Sequence, residues 1–294
     1  PVAHLAVLFD FHGDTLAMPL LLFAFEALDR KAYRSYALWL LLALCCKFYV
    51  AIPVSAFGLI LALKGQHRVG SLTAAAGVVW FIAITVLVRP AFAPPGNAPL
   101  EATGSGYVHV YFGRTLEVLT TLELAVPRLV TAMIVFAPAL WLARLAPVWM
   151  FPAATTALPA LAAFGLVSAA DYQCHHYALV IPFFMLACLE GAERLRQRDP
   201  IGWVSAVRMQ AAIVMLFSAL LVDTPLNPLF WTSPVGWGHD PLAYGATARD
   251  ELKSVWLAEN VPDHVPLVAS FFLAPHVSDR SVLFMPQVRN DGGE

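Results

Sequence analysis

Long apolar runs separated by short charged clusters dominate this 294-residue chain. The first run covers residues 16–28 and ends in the basic cluster at residues 29–34, which is typical of a membrane helix whose end stays in the cytoplasm. Seven further apolar runs follow, at residues 36–46, 48–63, 71–88, 128–145, 149–168, 177–193 and 202–222. The pattern predicts an all-α polytopic membrane protein with about eight transmembrane or half-spanning helices.

Lys47 interrupts the apolar residues between positions 36 and 63, and both ends of this stretch are basic, with Arg34 on one side and Lys64 on the other. Because basic connections stay in the cytoplasm, a single span would leave one of these ends on the wrong side. A hairpin of two short helices that turns at Lys47 satisfies both ends. It places Lys47 on the outer side of the membrane, together with the segment that precedes the first helix.

The predicted outer connections include a long loop at residues 89–113, rich in Pro, Gly and Ala, and a short turn at residues 169–176. Apolar residues between Phe112 and Val126 are spaced as on one face of a helix that lies on the outer membrane surface. Nine lysines and arginines fall in the predicted inner connections and three in the outer ones. This difference supports the orientation, with the protein crossing the plasma membrane several times.

Residues 223–294 follow a different pattern. A linker rich in Pro, Gly and Trp covers residues 223–245, and Thr247 and Asp250 then open an amphipathic helix. Strands are predicted at residues 265–270 and 281–285, with a short helix at residues 272–278 between them. We therefore expect two domains: a transmembrane domain at residues 1–222, with its N-terminal part missing, and an incomplete extracytoplasmic α/β tail at residues 223–294.

The composition agrees with a membrane protein, since only 13% of the residues are charged, 59% are hydrophobic and the mean hydropathy is +0.68. The net charge of −2 says nothing about nucleic acid, and no basic stripe interleaved with aromatic residues appears, so no nucleic-acid partner is expected. The four cysteines form no C-x-x-C pair, so neither a disulfide framework nor a zinc site is expected. Because residue 1 is Pro rather than Met, we expect the chain to be a piece of a longer one.

Four motifs carry a resemblance to a known family. They are Phe9-Asp-Phe-His-Gly-Asp, Leu44-Cys-Cys-Lys, His176-Tyr-x4-Pro and the tail pattern Val261-Pro-x5-Val-Ala-Ser-x5-His-x3-Arg-x3-Phe-x-Pro. Together they resemble the bacterial family of predicted membrane proteins known as domain of unknown function two-zero-seven-nine. That family is similar to the GT-C glycosyltransferases, multi-spanning enzymes that take sugars from polyprenyl-phosphate carriers.

The resemblance implies an integral membrane glycosyltransferase-like protein that transfers a sugar from a polyprenyl-phosphate donor to a glycan, lipid or protein acceptor on the outer side. Two departures stand out. Phe48 and Tyr49 follow Lys47 where the family usually has acidic residues, and Gly13-Asp14 stands where a further carboxylate is usual. In GT-C enzymes the key acidic residue lies in the first outer loop, so we expect the main catalytic carboxylate to precede Pro1.

Asp10, His12 and Asp14 alternate along the chain, and in an extended backbone they share one face. Such a face could hold a divalent cation, Mg²⁺ or Mn²⁺, that neutralises a lipid-linked phosphate, and Asp10 or Asp14 could serve as a general base. The alternative is that Asp14 or Thr15 caps a helix with Pro19 in its first turn, while Asp10 and His12 are solvated.

Lys47 at the tip of the hairpin could donate to a phosphate oxygen as charge develops there, or could simply anchor the turn at the membrane interface. His175, His176 and Tyr177 begin a later helix on the same side, where they could bind the donor phosphate or substrate, or form an interfacial belt. Arg114 in the outer loop is a weaker candidate for the same site. A transporter or a non-catalytic membrane scaffold remains the alternative to an enzyme.

The acidic residues near the predicted inner helix ends have a simpler interpretation. Glu26, Glu190 and Glu193 are expected to be solvated or paired with the neighbouring basic residues.

Overall fold

A computed structural model describes residues 12–92, 113–163, 175–221, 248–262, 265–269 and 283–284. Asp10, most of the predicted loop at 89–113, the turn up to residue 174 and the linker at 223–245 lie outside the described residues. The chain divides into two compact units, Pro1–Leu229 and Phe230–Glu294, which are described separately below.

The described part of the first unit is helical, as the sequence predicts. Its helices are α1 (Gly13–Asp29), α2 (Tyr33–Cys46), α3 (Ala51–Leu63), α4 (His67–Ala91), α5 (Thr115–Thr120), α6 (Leu122–Ala143), α7 (Met150–Ala162), α8 (Val180–Arg198) and α9 (Trp203–Leu221). Helix α4 contains a π-helical segment at Ala83–Val88. Short 3₁₀ turns at Phe48–Val50, Pro147–Trp149 and His175–Tyr177 precede α3, α7 and α8.

Two of the described helices, α4 and α6, are long and apolar enough to cross a bilayer. Shorter apolar helices lie at Tyr33–Cys46, Phe48–Leu63 and Trp203–Ser218. The count of about eight transmembrane or half-spanning segments therefore stays a prediction.

The chain reverses at Lys47, as predicted. Helix α2 ends at Cys46, Lys47 is extended (φ −159°, ψ 141°), and α3 begins after the 3₁₀ turn. At its far end α3 reaches Lys64, whose Nζ lies 2.6 Å from Oε2 of Glu190 near the end of α8. We call the end of the helices that carries Asp14 and Lys47 the Asp14 end, and the other end the Lys64 end.

Close packing of α3 against α4 depends on glycines. A Cβ placed on Gly58 would lie 2.3 Å from the backbone nitrogen of Ala74, and one on Gly70 would lie 2.3 Å from that of Ala62. Small residues of this kind let two membrane helices approach until their backbones touch. A buried hydrogen bond of 2.7 Å between the hydroxyl groups of Tyr36 and Thr73 joins α2 to α4.

Gln210 of α9 inserts into the backbone hydrogen bonds of α6. Its Oε1 accepts a hydrogen bond from the Leu142 backbone N–H at 3.0 Å, and its Nε2 donates to the Pro138 carbonyl. In an undisturbed helix this N–H and this carbonyl would bond each other, because they are four residues apart. The side chain, which is 7% exposed, therefore binds both backbone groups and joins α9 to α6.

Two predictions about local structure are wrong. Helix α1 begins at Gly13 with His12 as its N-cap and no side-chain cap, and Pro19 lies inside the helix rather than in its first turn. The predicted surface helix ends at Thr120, because extended Thr121 (φ −91°, ψ 118°) breaks it and the following apolar residues, Val126 included, belong to α6.

The second unit contains helix α10 (Ala248–Asn260), where an amphipathic helix is predicted. Strands β1 (Leu267–Val268) and β2 (Leu283–Phe284) pair in parallel. Buried Leu257 and Ala269 form a small apolar cluster of this unit. The predicted helix at residues 272–278 lies outside the described residues, and a pair of two-residue strands does not establish an α/β domain, so that domain stays a prediction.

Candidate functional site

Gly13 brings the start of α1 against the end of α2. A Cβ at this position would lie 2.3 Å from the carbonyl oxygen of Cys46, so only glycine permits the approach. The next residue, Asp14, is fully buried and lies beside Lys47, which follows Cys46 directly. A residue of the first motif and the lysine of the hairpin thus meet at one point.

Three side chains converge on the same carboxylate oxygen, Oδ2 of Asp14. Lys47 donates from Nζ at 3.1 Å and Tyr49 donates from its hydroxyl at 2.5 Å. His175, just before α8, places Nε2 at 3.6 Å from this oxygen. We call Asp14, Lys47, Tyr49 and His175 the Asp14 cluster. Because a carboxylate is costly to bury without charged or hydrogen-bonded partners, these contacts explain how Asp14 is tolerated inside an apolar protein.

Two further histidines extend the cluster. The ring of His12 stacks on that of His175, with centroids 3.4 Å apart and planes 11° from parallel, and His176 lies 4.2 Å from His175 between centroids. Burial lowers the pKa of His175 to about 3, and the neighbouring His176, Lys47 and His12 act in the same direction because each would repel a protonated His175 ring. Burial also lowers the pKa of His176, although Asp14 opposes this shift. Both imidazoles are therefore neutral at neutral pH and able to bind a cation or accept a hydrogen bond.

Asp14, His175 and His176 are spaced as metal ligands, with one ligand atom from each within 4.8 Å of the others. Oδ1 of Asp14 is buried and has no hydrogen-bond partner among the described residues, so this oxygen fits a cation. Two imidazoles and one carboxylate suit a transition metal such as Zn²⁺ or Mn²⁺ better than Mg²⁺, which prefers oxygen ligands.

This arrangement differs from the predicted set of Asp10, His12 and Asp14. Asp10 lies outside the described residues. Because the helix begins at Gly13, the extended alternation that would place His12 and Asp14 on one face ends before Asp14. His12 instead stacks on His175.

The other two predicted site residues, Tyr177 and Arg114, make their described contacts outside the Asp14 cluster. Tyr177 is fully buried and packs in the apolar core of the first unit. The guanidinium of Arg114 pairs with Glu117 in its own helix, with Nε 2.6 Å from Oε2. The described contacts thus favour His175 and His176 over Tyr177 and Arg114 as ligands for a substrate.

The roles of Tyr49 and Gly13 are not evident from the sequence pattern. Tyr49 was notable only because the resembled family usually has an acidic residue near this position. Its place two residues after Lys47, in the turn of the hairpin, was the available signal. Gly13 carried no signal of its own, because its role depends on a backbone that is distant in sequence.

The acidic residues at the Lys64 end are paired, as predicted. The ion pairs are Glu26 with Arg30, Glu190 with Lys64 and Arg194, and Glu193 with Arg196.

Two of the described helices of the first unit, α4 and α6, are long and apolar enough to cross a bilayer, as expected of a membrane protein. The family model described as "Predicted membrane protein (DUF2079)" matches residues 1–291. The chain therefore belongs to this family of membrane proteins and associates with the lipid bilayer. No curated protein and no solved structure matches the chain.

Proposed function

We propose that this protein is a GT-C-like inverting glycosyltransferase, which moves a sugar from a polyprenyl-phosphate donor to an acceptor on the outer side of the membrane. The observation that carries the proposal is the convergence of Lys47, Tyr49 and His175 on buried Asp14. Polar groups that converge at one end of an apolar helical protein are the usual sign of a ligand site.

Lys47 is the group best placed to meet the donor phosphate. Its side chain is 29% exposed, whereas that of Asp14 is 1% exposed. An ammonium has three N–H donors, and Asp14 engages only one of them. A fixed cation near the phosphate stabilises the negative charge that develops as the sugar leaves.

Asp14 acts here as a positioning residue rather than as the general base. Its Oδ2 holds Lys47 and Tyr49 in place, and its burial keeps an acceptor hydroxyl from reaching it. The base would be Asp10, four residues earlier in the chain. A divalent cation, if the enzyme uses one, would be held by Asp14, His175 and His176 and would add positive charge next to the departing phosphate.

The outer location of the site rests on the charge distribution. The Lys64 end carries Arg30, Lys31 and Arg68, and clusters of this kind stay in the cytoplasm. The Asp14 end would then face outward. In the same orientation, we propose that the chain crosses the plasma membrane several times and that its C-terminal tail is extracytoplasmic.

The test uses the full-length protein reconstituted in liposomes with a panel of polyprenyl-phosphate sugars. Transfer or hydrolysis should be detectable with at least one donor, and Lys47→Gln should lower the rate by about 100-fold or more. Lys253→Gln, which alters a lysine of the second unit, is the matched control and should leave the rate unchanged. Absence of turnover from every donor by folded protein would contradict the proposal and favour transport or scaffolding.

A further inference from the structure

A cavity of about 1030 Å³ opens at the Lys64 end of the first unit. It is remote from the Asp14 cluster, since Asp14 and Asp29 at opposite ends of α1 are separated by a rise of roughly 22 Å. Ligand pockets for small organic molecules typically measure about 300–1,000 Å³. A water molecule takes up about 30 Å³ of the liquid, so this cavity is far larger than a free inorganic ion needs.

The cavity has an apolar wall and a charged rim. Phe25 and Leu22 from α1, Leu61 from α3 and Leu186 from α8 are among its apolar lining residues. The rim contains charged residues from the last turn of α1, the first turn of α4 and the second half of α8, together with Lys31 and Lys64, which follow α1 and α3. A lining of this kind matches a molecule with a polar head and an apolar tail.

The lining contains three cationic side chains, Lys31, Lys64 and Arg68, and four carboxylates, of which Asp29 is the one without an ion pair within the described ranges. Its carboxylates at Glu26, Glu190 and Glu193 are already engaged by arginines or by Lys64. Lys31 and Arg68 have no ion-pair partner within the described ranges. An anionic group that enters the cavity would therefore meet two cationic side chains that are not yet neutralised, and Asp29 on the same rim could accept from a hydroxyl of the ligand.

Lys31 adds an independent observation. Its backbone lies in the left-handed region, with φ 58°, in the turn that ends α1. Glycine is the residue that favours this conformation at a helix end, and Gly65, which also lines the cavity, adopts it at φ 93° after α3. A lysine at such a position adopts a backbone conformation that costs about 1–2 kcal/mol relative to glycine.

We propose that this cavity binds an anionic glycerophospholipid. Lys31 and Arg68 would hold the phosphate, and one acyl chain would lie along the apolar wall near Phe25 and Leu61. Free phosphate offers the same oxygens but would leave that wall in contact with water. The chain is a membrane protein, so a lipid of this class reaches the rim from the surrounding leaflet.

The test measures binding of phosphatidylglycerol, phosphatidylcholine and inorganic phosphate to the detergent-solubilised full-length protein by native mass spectrometry. Phosphatidylglycerol should bind at least about tenfold more tightly than phosphatidylcholine, and inorganic phosphate at millimolar concentration should not displace it. Lys31→Gly should weaken phosphatidylglycerol binding at least about tenfold, a change of about 1.4 kcal/mol. Because glycine favours the backbone conformation at residue 31, this variant should melt at the same temperature as the wild type or higher.

Arg34→Gln is the matched control, since Arg34 is an exposed arginine at the same end that does not line the cavity. It should leave phosphatidylglycerol binding unchanged. Three results would each overturn the proposal: an equal loss in the two variants, equal binding of the two lipids, or displacement of the lipid by inorganic phosphate. Trp149 lines the cavity, so quenching of its fluorescence by phosphatidylglycerol with brominated acyl chains should disappear in Trp149→Phe. Identical quenching in that variant would also count against this location.

Discussion

The pair formed by Asp14 and Lys47 predicts an unequal response to removal of each partner. Asp14→Asn leaves the Lys47 ammonium without its carboxylate, but the lysine side chain is 29% exposed and can turn toward water. Lys47→Met leaves the Asp14 carboxylate, 1% exposed, with Tyr49 and His175 as its remaining partners on Oδ2. The second change should therefore destabilise the protein more than the first.

The magnitudes follow from this difference in exposure. Breaking a buried ion pair by removing one partner costs about 3–5 kcal/mol, and we expect Lys47→Met to fall in that range. Solvent around Lys47 should reduce the cost of Asp14→Asn to about 1–3 kcal/mol. Because the double variant buries no unpaired carboxylate, it should be more stable than Lys47→Met alone. The interaction energy between the two sites should reach about 2 kcal/mol.

The assay is reversible unfolding of the four proteins in mixed micelles, followed by circular dichroism, with the free energy of unfolding extrapolated to zero denaturing detergent. Arg196→Met, which breaks an exposed pair with Glu193, is the control and should cost less than about 1 kcal/mol. Additive losses at Asp14 and Lys47, or a larger loss for Asp14→Asn than for Lys47→Met, would refute this account of the pair.

Two further predictions concern other parts of the first unit. Gln210→Leu should lower the free energy of unfolding by about 2 kcal/mol, because it removes two buried hydrogen bonds to α6. Gln197→Leu, at an exposed position, is the control and should change the free energy of unfolding little. Equal effects of the two changes in the same assay would contradict the role of Gln210 in joining α9 to α6. His175 has a folded-state pKa of about 3 against an ordinary value of 6.5, so between these two pH values the unfolded state binds more protons than the folded state. The contribution of neutral His175 to the free energy of unfolding is complete above pH 6.5 and should be lost as the pH falls toward 3. The slope should reach at most about 1.4 kcal/mol per pH unit and should decrease in His175→Gln; an unchanged slope in that variant would count against the shift.

Part of the candidate cluster could be predicted from the sequence, because the charges at the ends of apolar runs predict which helix ends lie together. Basic residues at Arg34 and Lys64 required a reversal at Lys47, and the same reasoning placed His175 and Asp14 on one side. The structure brings Lys47 and His175 together around one carboxylate oxygen of Asp14. Apolar runs and the charges at their ends predict which helix ends lie on the same side, because both depend on whether a whole segment lies in lipid or in water.

The contacts inside the cluster could not be predicted in the same way. Tyr49 reaches Asp14 from a 3₁₀ turn, and Gly13 matters only because the Cys46 carbonyl is packed against it. Gln210 belongs to an apolar helix whose sequence does not show that an α6 carbonyl lies beside it. Each of these contacts depends on how two helices pack against each other. Hydropathy describes one helix at a time, so it does not predict them.

The most direct test of the central claim is the affinity of the protein for a polyprenyl monophosphate, the leaving group of the proposed reaction, which needs no knowledge of the sugar. Titrations in nanodiscs would compare wild type, Lys47→Gln and Arg34→Gln. We expect at least about tenfold weaker binding for Lys47→Gln and no change for Arg34→Gln, because Lys47 lies in the Asp14 cluster and Arg34 does not. Equal affinities for wild type and Lys47→Gln would contradict the claim that this cluster binds a lipid-linked phosphate.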